Sequence, residues 1–424
     1  MDLAIQKIKQ NDIKESNVNK ITYINLLAVI FFAVYYLLPS AQEMIGLKEI
    51  LFMCFAYIAY NVIVRNFELS EELLKYVVII TYIALLYLLL TSTSTVSSTV
   101  SNSTLKRFLS KFYQLSLSFF PVYLLVQTIN KDDGKKNRII WLVVVFLLIF
   151  VIINTLIELT KNPNITRSWG REPEKAGENF AGYYFVYAIP LTIILCTCGI
   201  VNYKNGFIKF IFLALIIFQL YFLFYAQYTL SVIASVIGIT YEIIVNTKTK
   251  NSKLIALSVC IVGIVALPLI LKIAARYVPS EQMSIRLTEL YNFLTSGNSS
   301  GYNLHGRMEL YGKSIQAFLK SPIWGNKKLD FDGHATFLTV LADIGLLGGI
   351  PFYYLYFHSF KFVNQFLGEN RKYFKPFFIV LLFMGFTNPI HSALPLMFTM
   401  WFIVPFGISF IYKNREVENE RLES

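Results

Sequence analysis

Four of the arginines in the two long hydrophilic segments of an otherwise apolar chain, 158–181 and 273–335, are candidates for binding an anion. They are Arg167, Arg171, Arg286 and Arg307. A guanidinium group offers a planar fork of N–H donors that matches the oxygens of phosphate and pyrophosphate. If the two segments converge, the arginines would suit an anionic substrate. Contacts with lipid phosphates would use the same chemistry, so the residues by themselves leave both interpretations open.

His334 follows the turn-like tetrapeptide "DFDG" and directly precedes a long apolar run. A neutral imidazole, with a pKa near ~6.5 in water, can accept a proton from a sugar hydroxyl. A histidine that caps a helix at the membrane interface is the alternative. We therefore treat His334 as a candidate catalytic base whose role depends on its surroundings.

Asp330 and Asp332 form a D-x-D pair just before that histidine. Two carboxylates at this spacing could bind a divalent cation or orient His334. Such a tripeptide arises easily by chance, and its role stays open. The segments contain no glycine-rich phosphate loop, no H-E-x-x-H and no nucleophile elbow, which argues against a nucleotide-driven motor.

The elements that must position these residues are apolar helices. Of the 424 residues, 55% are hydrophobic and 15% are charged, a composition typical of polytopic membrane proteins. Apolar runs recur at the length needed to cross ~30 Å of hydrocarbon. We expect an all-α fold of about twelve transmembrane helices, with bounds 21–38, 45–64, 73–91, 112–129, 139–157, 182–201, 207–225, 230–246, 254–272, 336–357, 375–390 and 396–412.

Basic residues divide the connections between these helices into two sets. Lys and Arg concentrate in one alternate set, whereas the short connections 39–44, 225–230 and 391–395 contain neither residue. The basic side is expected to be cytoplasmic and to carry both termini. Much of the net charge of +12 is then expected to be topological and does not indicate nucleic acid.

This topology gives a cytoplasmic tail at 1–20, one transmembrane domain at 21–412 and a second cytoplasmic tail at 413–424. The segments 158–181 and 273–335 become extracytoplasmic loops. Within the larger loop, "SEQMSIRLTELYNFL" and "RMELYGKSIQAFLKSP" place apolar residues at helical spacing and predict two short amphipathic helices. The cysteines, Cys54, Cys196, Cys198 and Cys260, all fall in apolar runs and are interpreted as packing residues.

The region around His334 resembles the C-terminal signature of the Wzy-type polysaccharide polymerase and O-antigen ligase superfamily. In that signature a Gly-Arg opens a helix that ends in a Pro-x-x-Gly turn, and a histidine then leads into F-L-x-x-L-x-x-x-G-x-x-G. The matching residues here are Gly306, Arg307, Pro322, Gly325, His334, Phe337, Leu338, Leu341, Gly345 and Gly348.

A second polymerase pattern, arginine followed after ten residues by glycine, occurs in each large loop. Arg171 pairs with Gly182, and Arg286 pairs with Gly297. The chain departs from the family where a Ser-Arg often opens the eighth span, because Leu230 and Ser231 stand here and no arginine follows.

The resemblance implies glycosyl transfer at the outer face of a bacterial cytoplasmic membrane. A glycan would leave its polyprenyl pyrophosphate as a hydroxyl of the next lipid-linked repeat unit attacks. His334 would be the base, the four loop arginines would bind pyrophosphate, and neither nucleotide, metal nor cofactor would be needed. The partners would be lipid-linked oligosaccharides and the bilayer, with a flippase and a chain-length regulator of the same pathway as further candidates.

Two other functions stay open. A ligase of the same superfamily would transfer a finished chain to another acceptor by the same chemistry. A lipid-oligosaccharide flippase or other secondary transporter can also have twelve spans, but transporters tend to place charges within their spans.

Overall fold

The computed structural model describes residues 22–65, 67, 69–92, 100–129, 134–162, 165–168, 180–226, 228–246, 258, 265–266, 268–277, 281–296, 302–326 and 335–423. The predicted tail 1–20 and most of the predicted ninth span, 254–272, lie outside these residues.

Within the described residues the regular structure is helical, and no strand occurs. The helices are α1 (Tyr23–Leu37), α2 (Pro39–Met44), α3 (Leu47–Ile63), α4 (Glu71–Ser92), α5 (Val100–Val126), α6 (Gly134–Lys161), α7 (Ile165–Ser168), α8 (Tyr183–Val186), α9 (Ile189–Asn202), α10 (Gly206–Tyr225), α11 (Thr229–Asn246), α12 (Glu281–Ser296), α13 (Tyr302–Lys320), α14 (Thr336–Leu367), α15 (Lys375–Thr387), α16 (Leu394–Phe398) and α17 (Val404–Glu423).

By length and composition, eight helical stretches among the described residues can cross a membrane. They are Glu71–Leu90, Phe108–Val126, Gly134–Lys161, Tyr183–Asn202, Gly206–Tyr225, Thr229–Asn246, Thr336–Thr387 and Leu394–Lys413. Large apolar side chains on α6 and α10, such as Leu142, Phe146, Phe207 and Phe210, are exposed, as expected for helices that face hydrocarbon. Within the described residues the predicted all-α fold class is therefore confirmed, and the eight apolar stretches are compatible with a multi-pass membrane protein.

The helix α14 contains a chain reversal that the sequence analysis did not predict. Gly345 has φ 57° and ψ −158° inside the helix, a conformation that side chains with a Cβ rarely adopt. Phe337 and Tyr353 lie on opposite sides of it, yet their ring centroids are 5.3 Å apart. Residues 336–344 therefore fold back against the helix that starts at residue 346, and we call this element the Gly345 hairpin.

Small residues let the two arms of the Gly345 hairpin approach each other. A Cβ placed on Gly349 would lie 2.7 Å from the Leu341 side chain, and one on Gly348 would overlap Ile344. The predicted tenth span, 336–357, is therefore two packed helical segments, because a left-handed residue breaks the helix between them.

A turn at 321–325 fills the break in the hairpin. The N–H groups of Leu346 and Leu347 donate to the carbonyl oxygens of Pro322 and Ile323, at 2.8 and 3.2 Å. Gly325 also has a positive φ, 75°, and its backbone packs directly on that of Asp343. The turn thus satisfies helix donors that the reversal leaves without an intrahelical partner.

The remainder of the 52-residue stretch Thr336–Thr387 doubles back once more. Phe378 of α15 stacks on Phe360, and Phe386 lies 5.0 Å from Phe337, measured between ring centroids. The start of α15 contacts Phe360, and its end contacts Phe337, which lies beside Tyr353. Therefore α15 runs antiparallel to the arm of α14 that follows Gly345.

Both amphipathic helices predicted in the larger loop are present as α12 and α13. The last helix, α17, extends to Glu423, so helical backbone continues through most of the predicted tail 413–424. Cys54, Cys196 and Cys198 are buried free thiols, and Cys260 lies outside the described residues.

Candidate functional site

Polar groups converge on the short connection between α15 and α16, which we call the 388–393 loop. Thr336, at the start of the Gly345 hairpin, organises it. Its hydroxyl donates to the carbonyl oxygen of Asn388 at 3.2 Å and accepts from the N–H of Ile390 at 2.7 Å. Its own N–H also donates to the Asn388 carbonyl, at 3.2 Å. One buried threonine therefore ties the entry of α14 to this loop.

Arg307 reaches the same place from α13. Its Nη1 donates to the carbonyl oxygen of Thr387 at 3.3 Å and to Oδ1 of Asn388 at 3.4 Å. Both contacts use one terminal nitrogen, whereas a guanidinium group has five N–H donors in all. The geometry holds Arg307 in place and leaves it the capacity to bind an anion.

Tyr311, one turn after Arg307, strengthens this attachment of α13. Its hydroxyl donates to the Thr387 carbonyl at 3.0 Å. Burial is the main effect on this phenol and raises the pKa of Tyr311, against the opposing influence of the Arg307 charge. The phenol is thus a neutral donor that fixes the angle at which Arg307 approaches the loop.

His391 is the described histidine closest to these groups. Its Nδ1 lies 3.3 Å from the Thr336 hydroxyl. Burial, followed by the positive charge of Lys111, lowers the pKa of His391 to about 3. The imidazole is therefore neutral at physiological pH and has one nitrogen that accepts a proton.

The helix α5 presents polar residues to the loop along one face. The Ser118 hydroxyl donates to the carbonyl oxygen of His391 at 2.8 Å. Gln114 and Lys111 follow at helical spacing towards the start of the helix. The Lys111 Nζ lies 5.4 Å from the centre of the Tyr87 ring, and its charge interacts with the carboxylate of Asp343 in the Gly345 hairpin.

A tyrosine cluster connects the 388–393 loop to the smaller hydrophilic segment. Ser392 donates to the hydroxyl of Tyr184 at 2.8 Å. From Tyr184, successive ring contacts run through Tyr183 and Tyr187 to Tyr228. The Tyr228 hydroxyl donates to the carbonyl oxygen of Thr166 at 3.2 Å. The one-turn helix α7, which contains Arg167, therefore lies at the same end of the bundle as Arg307.

The predicted site residues differ in where the structure places them. Arg307 contacts the 388–393 loop, and the backbone of Arg167 adjoins the tyrosine cluster. The backbone of Arg286 lies in α12, which packs on residues 268–277 through Leu287 and Leu271.

The side chains of Arg167 and Arg286, and the whole of Arg171, His334, Asp330 and Asp332, lie outside the described residues. Thr336, two residues after His334, belongs to the cluster.

Four residues of this region were missed by the sequence analysis. They are Lys111, Asp343, Asn388 and His391. Lys111 directly precedes the predicted span 112–129, and Asp343 stands alone in an apolar run. The dipeptide Asn388-Pro389 inside a predicted span was the one available signal, because both residues interrupt helices.

A second buried polar group lies between α9, α11 and α17. Glu242 is 0% exposed, and Asn246 donates to its Oε1 at 2.6 Å. Asn202 of α9 donates to Oδ1 of Asn246 at 3.3 Å. In the part of the chain that the structure describes, Oε2 of Glu242 has no hydrogen-bond partner. This carboxyl group lies within the predicted span 230–246.

Among the described residues, no three His, Cys, Asp or Glu side chains come together in an arrangement that could hold a metal ion. The polar groups that do converge are a guanidinium, an ammonium, a neutral imidazole and hydroxyl groups, which suit an oxyanion and a proton-donating substrate. Comparison of the chain with protein-family models and with curated proteins finds no match.

Proposed function

We propose that the chain is an extracytoplasmic polysaccharide polymerase that joins polyprenyl-pyrophosphate-linked oligosaccharide repeat units. The observation that carries the proposal is the convergence of Arg307, Thr336 and His391 on the 388–393 loop. Among the described residues of the sequence signature, Arg307 contacts Asn388 of this loop, and the 321–325 turn bonds to the Gly345 hairpin that begins at Thr336.

Arg307 binds the pyrophosphate of the donor lipid in this proposal, with Arg167, Arg171 and Arg286 as further ligands. Charge on the leaving pyrophosphate grows as the bond between the anomeric carbon and the phosphate oxygen breaks. Guanidinium donors aimed at that charge lower the barrier because they interact more strongly with the transition state than with the bound substrate.

His334 acts as the base. The acceptor hydroxyl oxygen attacks the anomeric carbon, its proton passes to His334, and the C–O bond to the pyrophosphate breaks with both electrons on the oxygen. The products are a glycan lengthened by one repeat unit and a free polyprenyl pyrophosphate. The groups around Thr336 and His391 would position the acceptor glycan by hydrogen bonds.

The proposed setting is a bacterial cytoplasmic membrane. About twelve spans, two outer loops and cytoplasmic termini would place this site at the extracytoplasmic face. The eight apolar helices support a membrane location, and the positive-inside distribution supports the orientation. A flippase would supply the repeat units, and a chain-length regulator would act on the product.

The test is incubation of the purified protein with lipid-linked repeat units, in the absence of nucleotide. The wild type should give a ladder of longer lipid-linked glycans, and His334→Ala and Arg307→Ala should lose it. Lys313→Met is the matched control, because Lys313 lies on the same helix as Arg307 with a side chain that is 57% exposed. Absence of any ladder from wild-type protein would refute the proposed activity.

A ligase of the same superfamily is an alternative that uses the same groups. Glycan analysis of a deletion strain separates the two. Single repeat units retained on the lipid carrier indicate a polymerase, whereas long unattached chains indicate a ligase.

Transport of a lipid-linked oligosaccharide is the second candidate function, and Glu242 is the observation that favours it. A buried carboxyl group between membrane helices is a common element of proton-coupled transport. If Glu242→Gln stops export of chains while His334→Ala and Arg307→Ala leave polymer formation intact, the chain is a transporter.

A further inference from the structure

Lys111 is a basic residue that the proposed mechanism does not use. It lies near the start of the apolar stretch Phe108–Val126 of α5, on the helix face that also carries Ser118. Ser118 binds the carbonyl oxygen of His391 at 2.8 Å. We infer that Lys111 is a further ligand of the substrate pyrophosphate and supplies positive charge from the side of the site opposite Arg307.

Lys111 lies about two helical turns before Ser118, which contacts the 388–393 loop. Its charge acts on His391, whose Nδ1 lies 3.3 Å from Thr336. Arg307 approaches the same loop through Oδ1 of Asn388, at 3.4 Å. A cation from α5 and a cation from α13 therefore flank one loop, and a pyrophosphate carries two phosphoryl groups, enough to engage both cations.

Thr339 is an independent sign of an unsatisfied polar position on the Gly345 hairpin. It lies one turn after Thr336 and one turn before Asp343, on the same face of the Gly345 hairpin. Its side chain is only 7% exposed, and its hydroxyl has no hydrogen-bond partner in the described part of the chain. A buried hydroxyl without a partner is costly, and a bound phosphoryl oxygen would accept its hydrogen.

Asp343 supports a competing explanation. This residue is 7% exposed, and its charge interacts with Lys111. A lysine that only neutralises a buried carboxylate would have a structural role and would not contact the substrate. The two explanations predict different behaviour when both charges are removed together.

The experiment measures binding of geranyl pyrophosphate to the purified full-length protein in phosphatidylcholine nanodiscs, by calorimetry. The proteins are the wild type, Lys111→Met, Lys111→Arg, Lys313→Met and the double variant Lys111→Met with Asp343→Asn. We expect Lys111→Met to weaken binding at least about tenfold, the typical loss of one charge-assisted hydrogen bond. Lys111→Arg should retain most of the affinity, and Lys313→Met should bind as the wild type does.

The double variant decides between the explanations. Binding as weak as in Lys111→Met supports contact with the pyrophosphate, whereas recovery of wild-type affinity means that Lys111 only neutralises Asp343 and overturns the inference. The same binding is also measured in nanodiscs that contain phosphatidylglycerol. Displacement of geranyl pyrophosphate by that lipid in the wild type but not in Lys111→Met would assign Lys111 to a lipid phosphate and equally overturn it.

The inference rests on the proposed function, and the two can fail separately. If Lys111→Met binds geranyl pyrophosphate as tightly as the wild type does, and Arg307→Met binds it weakly, the inference about Lys111 is refuted and the proposed function is not. If the wild type binds no geranyl pyrophosphate and forms no glycan ladder, both the inference about Lys111 and the proposed function are refuted.

Discussion

The hydroxyl of Tyr353 donates a 2.7 Å hydrogen bond to the carbonyl oxygen of Phe337, sixteen residues earlier in the same helical stretch. In a straight helix these residues would be about 24 Å apart, at ~1.5 Å of rise per residue. The bond thus fixes the reversal at Gly345. It also holds Thr336 beside Asn388, so the geometry of the candidate site depends on the hairpin.

Gly345→Ala should destabilise the protein, because residue 345 has a positive φ and a Cβ would overlap the carbonyl oxygen of Ile323. Strain of this kind costs about 1–3 kcal/mol before the overlap is counted. Thermal unfolding in detergent should show a lower midpoint. Gly312→Ala is the matched control on α13, where a Cβ meets nothing within 4 Å; its midpoint should stay equal or rise. Equal midpoints for both variants would contradict the reversal.

Thr336→Val should loosen the 388–393 loop. The substitution keeps the shape but removes the hydroxyl that bonds to Asn388 and Ile390, and leaving buried backbone groups unpaired costs about 1–3 kcal/mol. Thr336→Ser keeps the hydroxyl and should lose less stability. Urea unfolding of the two variants measures the difference, and a less stable Thr336→Ser would show that packing of the methyl group matters more than the hydrogen bonds.

Arg307→Lys should impair the proposed transfer although the charge is kept. Arg307 bonds to Asn388, and a lysine ammonium lacks the planar fork of donors with which Arg307 would bind the proposed pyrophosphate at the same time. Loss of one preorganised donor typically lowers kcat about 10²-fold. Initial rates of glycan-ladder formation give the measurement, with Lys313→Met as the comparison. A rate for Arg307→Lys that matches the control would mean that only the charge of Arg307 is required.

The protein should lose stability in acid through His391. The pKa of this residue is about 3 in the folded protein and near 6.5 in the unfolded chain. The unfolded state therefore binds more protons between these values, so the contribution of His391 is complete above pH 6.5 and declines as the pH falls towards 3.

The slope attributable to this one group is at most about 1.4 kcal/mol per pH unit. Thermal midpoints of the wild type and His391→Gln at pH 7.5, 6.5 and 5.5 test the expectation. The difference between the two proteins should shift in favour of the variant as the pH falls. A constant difference would show that His391 does not titrate differently on folding.

Much of the helix organisation was predictable from composition and periodicity. The apolar runs gave the positions of α4, α6, α10 and α11 within a few residues, and helical spacing identified α12 and α13. Their lengths and patterns are local properties, so one sequence is enough to read them. The reversal at Gly345 was not predictable in this way, because the residues on both sides continue an apolar helical pattern.

The candidate site shows the same division. Arg307 was recognisable because a guanidinium group in a hydrophilic segment has an evident chemistry. His391 and Lys111 were not, since the first sits in a five-residue connection and the second at the edge of an apolar run. The significance of His391 comes from Thr336 and Ser118, which lie far from it in the chain and next to it in space. The significance of Lys111 comes from its interaction with the distant Asp343.

By itself, the sequence determined a helical protein with long apolar segments and two hydrophilic segments that contain the candidate arginines. Only the tertiary structure decided which polar residues meet. Helix formation depends on hydrogen bonds between neighbours in the chain, whereas the 388–393 loop is assembled by contacts across α5, α13, α14 and α15. Those contacts exist because two positive-φ glycines, Gly325 and Gly345, pack their backbones together and turn α14 back towards Asn388.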